Sequence, residues 1–407
     1  MKKLIVYICC LLPITLLAQQ TLTWDEALQK LQDNNLLIKA SAKNIESQRV
    51  LEKSAFDLGK TQFNYLGGQY NSIQIDNNVG INQTFSLPAL YLAQSKNFKA
   101  QTNLSELIHS LTINEQKWLL KSLMVQVIFQ KMKHKMLLSE DSTLAILVKA
   151  SDLRYKTGET NQLEKISSEA LWFDVQNQIQ QSKADIDIIL NQIKTLIGSN
   201  EMIDLKENAF PNFKTNNSDT SIYTNHPLYL ISKQQNNILQ TNIKLEKAKT
   251  YPDVSFGYFS QTLIGTQNID GNDKYFSGKN RFQGWQVSLF VPLWLKPYRA
   301  RINSLQLSAE ANQFKTQQTA NNLKLEIGNT QAELNKNQAS LQFYETKGLP
   351  QASLILQNAQ KEFKGGQIGY LEYFQAFNRA YGIKNSALDV QLEFNQTLIK
   401  LQYLTGN

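Results

Sequence analysis

Tyr155-Lys-Thr-Gly158-Glu-Thr-Asn-Gln-Leu163-Glu164 returns 208 residues later as Phe363-Lys-Gly-Gly366-Gln-Ile-Gly-Tyr-Leu371-Glu372. A glycine between two helix-forming stretches, repeated with its flanks, reads as the turn of a helical hairpin built twice. At the same offset Leu196-Ile-Gly198 returns as Leu404-Thr-Gly406. Further upstream Phe85-Ser-Leu-Pro88 matches Leu289-Phe-Val-Pro292 at an offset of 204, and Phe63-Asn-Tyr65 matches Phe256-Gly-Tyr258 at 193. The chain therefore reads as a tandem duplication, with residues 19–210 the first structural repeat and 211–407 the second. The offset grows by 11 between the first two anchors, which predicts a longer loop in the second copy. It grows by four between the Pro and Gly anchors, about one helical turn.

Each copy predicts the order helix, strand, loop, strand, very long helix, Gly turn, long helix. Ala89 to Thr157 contains neither Gly nor Pro, and Leu119, Leu120, Leu123, Met124, Val127 and Ile128 recur at helical spacing. Those 69 residues would extend roughly 100 Å as one helix. A helix of that length has no globular core to lie against, so it must pack along other long helices. Glu159 to Ile197, also free of Gly and Pro, is the expected antiparallel return. The second copy repeats this around Gly366 with Gly328, Pro350, Gly365 and Gly369 interrupting. A break or kink is expected near Pro350.

The strands bear on the compartment. Val79, Ile81, Gln83, Phe85 and Leu87 alternate with Gly80, Asn82, Thr84 and Ser86, and Trp285, Val287, Leu289 and Val291 alternate with Gly284, Gln286, Ser288 and Phe290. Their expected partners are 63–75 and 254–262, joined by loops over 76–78 and 263–281. An ordinary sheet over a soluble core would give the same alternation. Only four such strands are read, however, with no compact apolar helix beside them to cover a face. Tyr258, Phe282, Trp285, Trp294 and Tyr298 are expected towards the strand ends, as in an interfacial girdle. Four strands cannot close a barrel, and an open edge cannot exist in lipid. Spanning strands would require protomers that share one barrel, with the helices forming a tube on one side of the membrane.

Met1-Lys-Lys, an apolar run from Leu4 to Leu17 and Ala18-Gln19-Gln20 describe a signal peptide over residues 1–18. Cys9 and Cys10 both lie within it, so the mature chain has no thiol for disulfides, metal ligation or catalysis. Of 42 Lys+Arg and 34 Asp+Glu in the whole chain, Lys2 and Lys3 leave with the signal segment. The remaining excess is spread too thinly for a nucleic-acid partner. A mean hydropathy of −0.37 excludes a polytopic helical membrane protein but not a β-barrel. Secretion together with a barrel points to the outer membrane of a Gram-negative cell, with the tube in the periplasm.

Leu22-Thr-Trp-Asp-Glu26-Ala27-Leu28 followed by Asn34-Asn35, and Asn225-His226-Pro227-Leu228 at the start of copy two, resemble the opening helix of the TolC-type outer-membrane efflux proteins, and the resemblance covers nearly the whole mature chain. Tyr251-Pro252-Asp253-Val254, Val291-Pro292-Leu293 and the two Gly-centred turns add to it. The resemblance implies a mixed α+β membrane protein: long helical hairpins forming a periplasmic α-barrel, and four transmembrane β-strands per protomer in a shared barrel. It implies a homotrimer with twelve barrel strands, an adaptor (membrane fusion protein) in the periplasm and an RND-type pump in the inner membrane.

By position, the adaptor-contacting tips are Thr157-Gly158-Glu159 and Gly365-Gly366-Gln367. The family often has an apolar residue on each side of that Gly, and both tips depart from this. Family members can carry acidic residues after the second tip that ring a periplasmic gate; the matching positions are Glu372 and Gln375. Three copies of Glu372 about a threefold axis would attract cations. Alternatively, like its counterpart Glu164, Glu372 is a solvated residue at a helix start, favoured by the dipole. Ile368 to Ala380 and Gln391 to Leu404 resemble the heavy-metal efflux branch. Export of heavy-metal cations is therefore expected, with a drug duct or a type I protein-secretion duct as the alternative.

No cofactor and no resident metal are expected. His134 is two residues from Met132 and Met136 and faces away from them on a helix, and His109 and His226 lack ligand neighbours at useful spacing. No phosphate-cradling loop, His-Glu-x-x-His helix or nucleophile elbow is found, so an enzyme is not expected. A secreted helical stalk is the rival from another class. It would need sustained heptads, whereas the long helices interleave Asn, Gln, Ser and Thr on broad faces.

Overall fold

The computed structural model describes residues 20–211 and 220–406. The expected signal segment lies outside them. The first half contains β1 (Gln20–Leu22), α1 (Trp24–Asn34), α2 (Leu36–Glu52), β2 (Gln62–Gly68), β3 (Asp76–Phe85), α3 (Pro88–Lys156), α4 (Gln162–Leu196) and β4 (Ile203–Leu205). The second half contains α5 (Pro227–Ala248), β5 (Asp253–Thr262), β6 (Gly265–Ile269), β7 (Asn272–Phe276) and β8 (Arg281–Phe290). It ends in α6 (Lys296–Phe343), α7 (Leu349–Lys364) and α8 (Tyr370–Thr405). No described helix is long and apolar enough to cross a membrane. Two compact units are present, one drawn from Met1–Lys39, Thr112–Tyr223 and Leu323–Asn407, the other from Ala40–Leu111 and Thr224–Asn322.

The second of these units holds an antiparallel sheet of order β2-β3-β5-β8. Its register puts Phe63, Ile81, Tyr258 and Trp285 in one row, and the neighbouring row is Asn64, Gly80, Phe259 and Gly284. Period-two alternation thus makes one apolar face and one face of small and polar residues. The glycines of the second face make room: a Cβ on Gly284 would meet the Phe259 ring at 2.5 Å, and one on Gly257 would overlap Asn82 Oδ1. The helices follow the same order as the strands. Arg49 of α2 pairs with Glu106 of α3 at 2.7 Å, Asn97 of α3 donates to Thr241 of α5 at 2.9 Å, and Glu246 of α5 pairs with Arg301 of α6 at 2.8 Å.

The other unit packs α1 on α3 and α4. Leu31, Leu120, Met124, Val127, Ile193 and Ile197 form its core with Leu22, Ile203 and Leu205. Thr23 and Glu26 close a reciprocal capping box on α1, with the Thr23 N–H donating to Glu26 Oε2 at 2.8 Å. Asn35 caps the next helix by accepting the Leu37 and Ile38 N–H groups, and its amide donates to the Leu196 carbonyl at 2.9 Å. A second core joins Leu137, Leu144, Leu147 and Val175 of the first hairpin to Ala359, Tyr373, Phe377 and Tyr381 of the second.

Several expectations need correction. The loop expected at 76–78 lies at 69–75, because Asp76 already pairs with Gly68 in the sheet. The buried Asp76 carboxylate accepts from Ser72, Thr262 and the Ile264 N–H, which fixes it as a strand start. Tyr258 and Trp285 sit mid-strand and not at strand ends, and Phe282 lies on the polar face, its ring tilted against that of Phe276 with centroids 5.3 Å apart. Four further short strands exist. β1 and β4 pair in parallel, and β6 and β7 form a hairpin inside the longer loop. The hairpin turns at Asp270-Gly271, both at positive φ (55° and 84°), as a two-residue primed turn requires.

The extra turn expected between Pro292 and Gly366 is instead absorbed in the connector from β8 to α6. The run Lys296–Lys364 has the same 69 residues as α3. At Pro350 the helix does not end; a π-helical turn over Tyr344–Gly348 precedes it, with the Leu349 N–H bonded to the Tyr344 carbonyl. Widening the preceding turn relieves the clash of a proline ring with the backbone four residues back.

Candidate functional site

The two hairpin turns lie in one unit and have the same backbone. At the first, the Gly158 N–H donates to the Tyr155 carbonyl at 3.1 Å and the Glu159 N–H to Arg154 at 2.8 Å. At the second, Gly366 donates to Phe363 at 3.2 Å and Gln367 to Glu362 at 2.9 Å. Each is a Schellman motif whose closing residue must be left-handed, with φ of +79° at Gly158 and +71° at Gly366. Gly198 and Gly406, the other repeated pair, are also left-handed, at +62° and +74°. The two tips are thus equivalent at the level of hydrogen bonds. Thr157, Gly158, Glu159, Gly365, Gly366 and Gln367 are all exposed, as are Leu163 and Leu371, the second residues of the return helices.

The side chains around the two turns differ. Arg154 reaches Glu164 Oε1 at 3.4 Å and Glu159 at 3.9 Å, and its guanidinium lies 5.6 Å from the Phe363 ring of the second hairpin. Asp152 is held by Lys156 at 2.6 Å and Lys165 at 2.7 Å; those two hydrogen bonds keep its carboxyl below the usual range. The second turn has no ion pair among the described residues. Asn161 caps α4 through the Glu164 N–H, whereas α8 starts at Gly369, whose N–H donates to Glu372 Oε2 at 2.7 Å.

Glu372 and Gln375 lie three residues apart on α8, and both are exposed. The Glu372 carboxylate already serves the helix start through its bond from the Gly369 N–H. Tyr370, beside it, is half-buried and packs against the inter-hairpin core. Burial first, then the Glu164 charge, raises its hydroxyl above the ordinary tyrosine range.

Sequence reasoning missed Glu140. It lies on the α3 stripe between Leu137 and Leu144 and is only 9% exposed. Burial, then the Asp174 charge, pushes its carboxyl up to about 7 against the pull of Lys384. The available signal was an acid at a spacing otherwise occupied by leucines. The histidines act as hydrogen-bonding residues: His134 with Ser182 at 2.8 Å, His109 with Ser41 at 2.7 Å, and His226 as the cap of α5. Met124 is fully buried in the first core, and no cluster of three metal-ligating side chains occurs among the described residues.

The apolar face of the sheet is a second candidate surface. Phe63, Trp285 and Leu289 are 77%, 80% and 63% exposed, so the row is uncovered within this chain. A contiguous apolar face of this kind marks contact with a partner or with lipid.

No family model and no curated protein matches the chain. Among solved structures it is similar to the outer-membrane channel OprN, with a TM-score of 0.79 and 14% identity over 94% of this chain and 89% of that one. It is similar to CusC, studied for its transmembrane channel formation, with a TM-score of 0.77 and 13% identity over 95% of each chain. It is also similar to the outer-membrane protein VceC of Vibrio cholerae, with a TM-score of 0.73 and 14% identity over 94% of this chain and 96% of that one. The duplicated helical hairpins and the four-stranded sheet are therefore the fold of bacterial outer-membrane channels.

Proposed function

We propose that this chain is the outer-membrane component of a tripartite efflux system, a passive duct that receives cargo in the periplasm and releases it outside. The carrying observation is the four-stranded sheet: one face apolar and exposed, the other lined by Asn64, Asn82, Gly257 and Gln286. Such a sheet suits a barrel wall between lipid and water, and its two open edges require neighbouring protomers. Three protomers with four strands each supply the twelve-strand barrel of the TolC-type family, and the helical hairpins supply the periplasmic tube. The twin exposed turns at Gly158 and Gly366 are the docking points for a periplasmic adaptor, itself bound to an RND-type pump.

Glu372 and Gln375 belong to the periplasmic entrance in this reading, where three copies of Glu372 form an acidic ring that favours cations. Heavy-metal cations are the proposed cargo, on the resemblance carried by Ile368 to Ala380 and Gln391 to Leu404. The test is fractionation of cell envelopes and bilayer reconstitution, combined with metal and drug sensitivity of a deletion strain. A trimer-sized conducting species in the outer membrane and hypersensitivity to divalent metals are expected. Sensitivity to drugs alone would move the cargo assignment and leave the duct; a soluble, non-conducting species would overturn the duct.

A further inference from the structure

Where the first hairpin strand runs into its helix, α3 and α5 leave a groove of about 340 Å³ lined by Leu92, Ala93, Lys96, Lys244, Lys247 and Tyr251. None of its three lysines has an ion-pair partner among the described residues. Lys249 nearby is held by Glu246, which also holds Arg301. The stretch 86–100 has Lys96 and Lys99 and no acidic residue, and 294–309 has Lys296, Arg299 and Arg301 and again none. The groove is therefore cationic by local composition: Glu246, the carboxylate that lies between Lys244 and Lys247 in α5, is taken up by Lys249 and Arg301.

Its depth and its apolar wall narrow the choice of ligand. Lys96 lies eight residues into α3, about 12 Å along the axis. Lys247 and Lys244 are one and four residues from the end of α5, about 2 and 6 Å. If the sheet spans the membrane, as proposed above, the polar headgroup layer, which adds about 5–8 Å to each side of the hydrocarbon core, takes in the positions of Lys247 and Lys244; Lys96 starts below it, and its long side chain, which tilts back toward the N-terminus of α3, covers the difference. Leu92 is 62% exposed and Tyr251 50% exposed within the groove. At the adjoining end of the sheet, Phe85 pairs with Val254 on the apolar face. A soluble anion would have no use for that wall; an anionic amphiphile would.

We infer that the α3–α5 groove holds an anionic phospholipid of the periplasmic leaflet, its phosphate among Lys96, Lys244 and Lys247 and its glycerol and upper acyl carbons against Leu92 and Tyr251. The inference rests on the membrane-spanning reading of the sheet. Attraction of a lysine to an anionic lipid surface contributes independently at each position, so loss of all three weakens retention by about 100-fold.

The experiment compares the full-length protein with the variant Lys96→Gln, Lys244→Gln, Lys247→Gln. Both are delipidated in detergent, incubated with phosphatidylcholine vesicles with and without phosphatidylglycerol, and re-purified for lipid counting by mass spectrometry. Expected is one phosphatidylglycerol retained per protomer by the wild type and its loss from the variant, with oligomer mass and conductance unchanged. Equal retention by both proteins overturns the inference, and so does a changed ion selectivity of the variant, which would mean that the lysines border the water column. If the triple variant does not assemble, Lys244→Gln alone, with a loss of about five-fold, decides the same question. Absence of the wild-type protein from the outer membrane would instead overturn the duct.

Discussion

Single side chains carry two different electrostatic roles in the helical part. Glu140 is a carboxyl kept largely from water, and its folded-state value of about 7 lies above that of an unfolded glutamate. Its contribution to stability is therefore full below the unfolded value near pH 4.5 and is lost as pH rises towards 7. Glu140→Gln should stabilise the protein by about 3 kcal/mol at pH 8 and by almost nothing at pH 4, read from denaturation midpoints at the two pH values. Equal effects at both would mean the site is solvated. Glu372 is the opposite case, exposed and bonded to the Gly369 N–H. Glu372→Gln keeps an acceptor for that bond, so stability should hold while single-channel cation preference falls. Unchanged selectivity would leave Glu372 as a helix-start residue only. Glu372 was legible from the repeat; Glu140 was not, because a helical pattern alone does not say which polar residue the neighbouring helices will cover.

At the level of elements, the hairpins were readable almost to the residue because Gly and Pro punctuate them. The 69 residues of α3, Pro88–Lys156, fall within one residue of the run Ala89–Thr157 that is free of both, and each tip needs a left-handed residue. Gly158→Ala or Gly366→Ala should cost about 1 kcal/mol through that backbone alone, measured as a lowered unfolding midpoint. The strands were readable as alternation, and their faces make a sharper prediction. Trp285 lies on the exposed apolar face and Gln286 on the other. Trp285→Arg should cost about 2–4 kcal/mol of assembled stability in lipid, while Gln286→Arg costs little; heat-resistance of the reconstituted oligomer reports both. Comparable losses at the two sites would argue against lipid on one face only. What alternation could not supply was the extent of pairing. Asp76 reads as a loop residue in the sequence, and only Ser72, Thr262 and Ile264 supply the hydrogen bonds that make it a strand start; Asp270-Gly271 is a hairpin signal inside the expected loop over 263–281.

For the whole molecule, the proposed duct separates two functions that deletion can test independently. Removing residues 157–159 or 365–367 should abolish export in cells while the protein still reaches the outer membrane and conducts in a bilayer. Export retained by either deletion would remove the tips from partner docking. The amino-acid sequence by itself determined the duplication, the helical hairpins and the alternating strands, because each follows from local backbone preference and periodicity. It also carried the residues that cap and turn them, Thr23 and Glu26, Asn35, Gly158 and Gly366. Only the tertiary structure decided that β1 and β4 pair in parallel across 180 residues of chain, that α2, α3, α5 and α6 line up in the order of their strands, and that Lys96, Lys244 and Lys247 share a groove. Those facts depend on which distant surfaces meet, and a pairing between remote segments leaves no period in either of them.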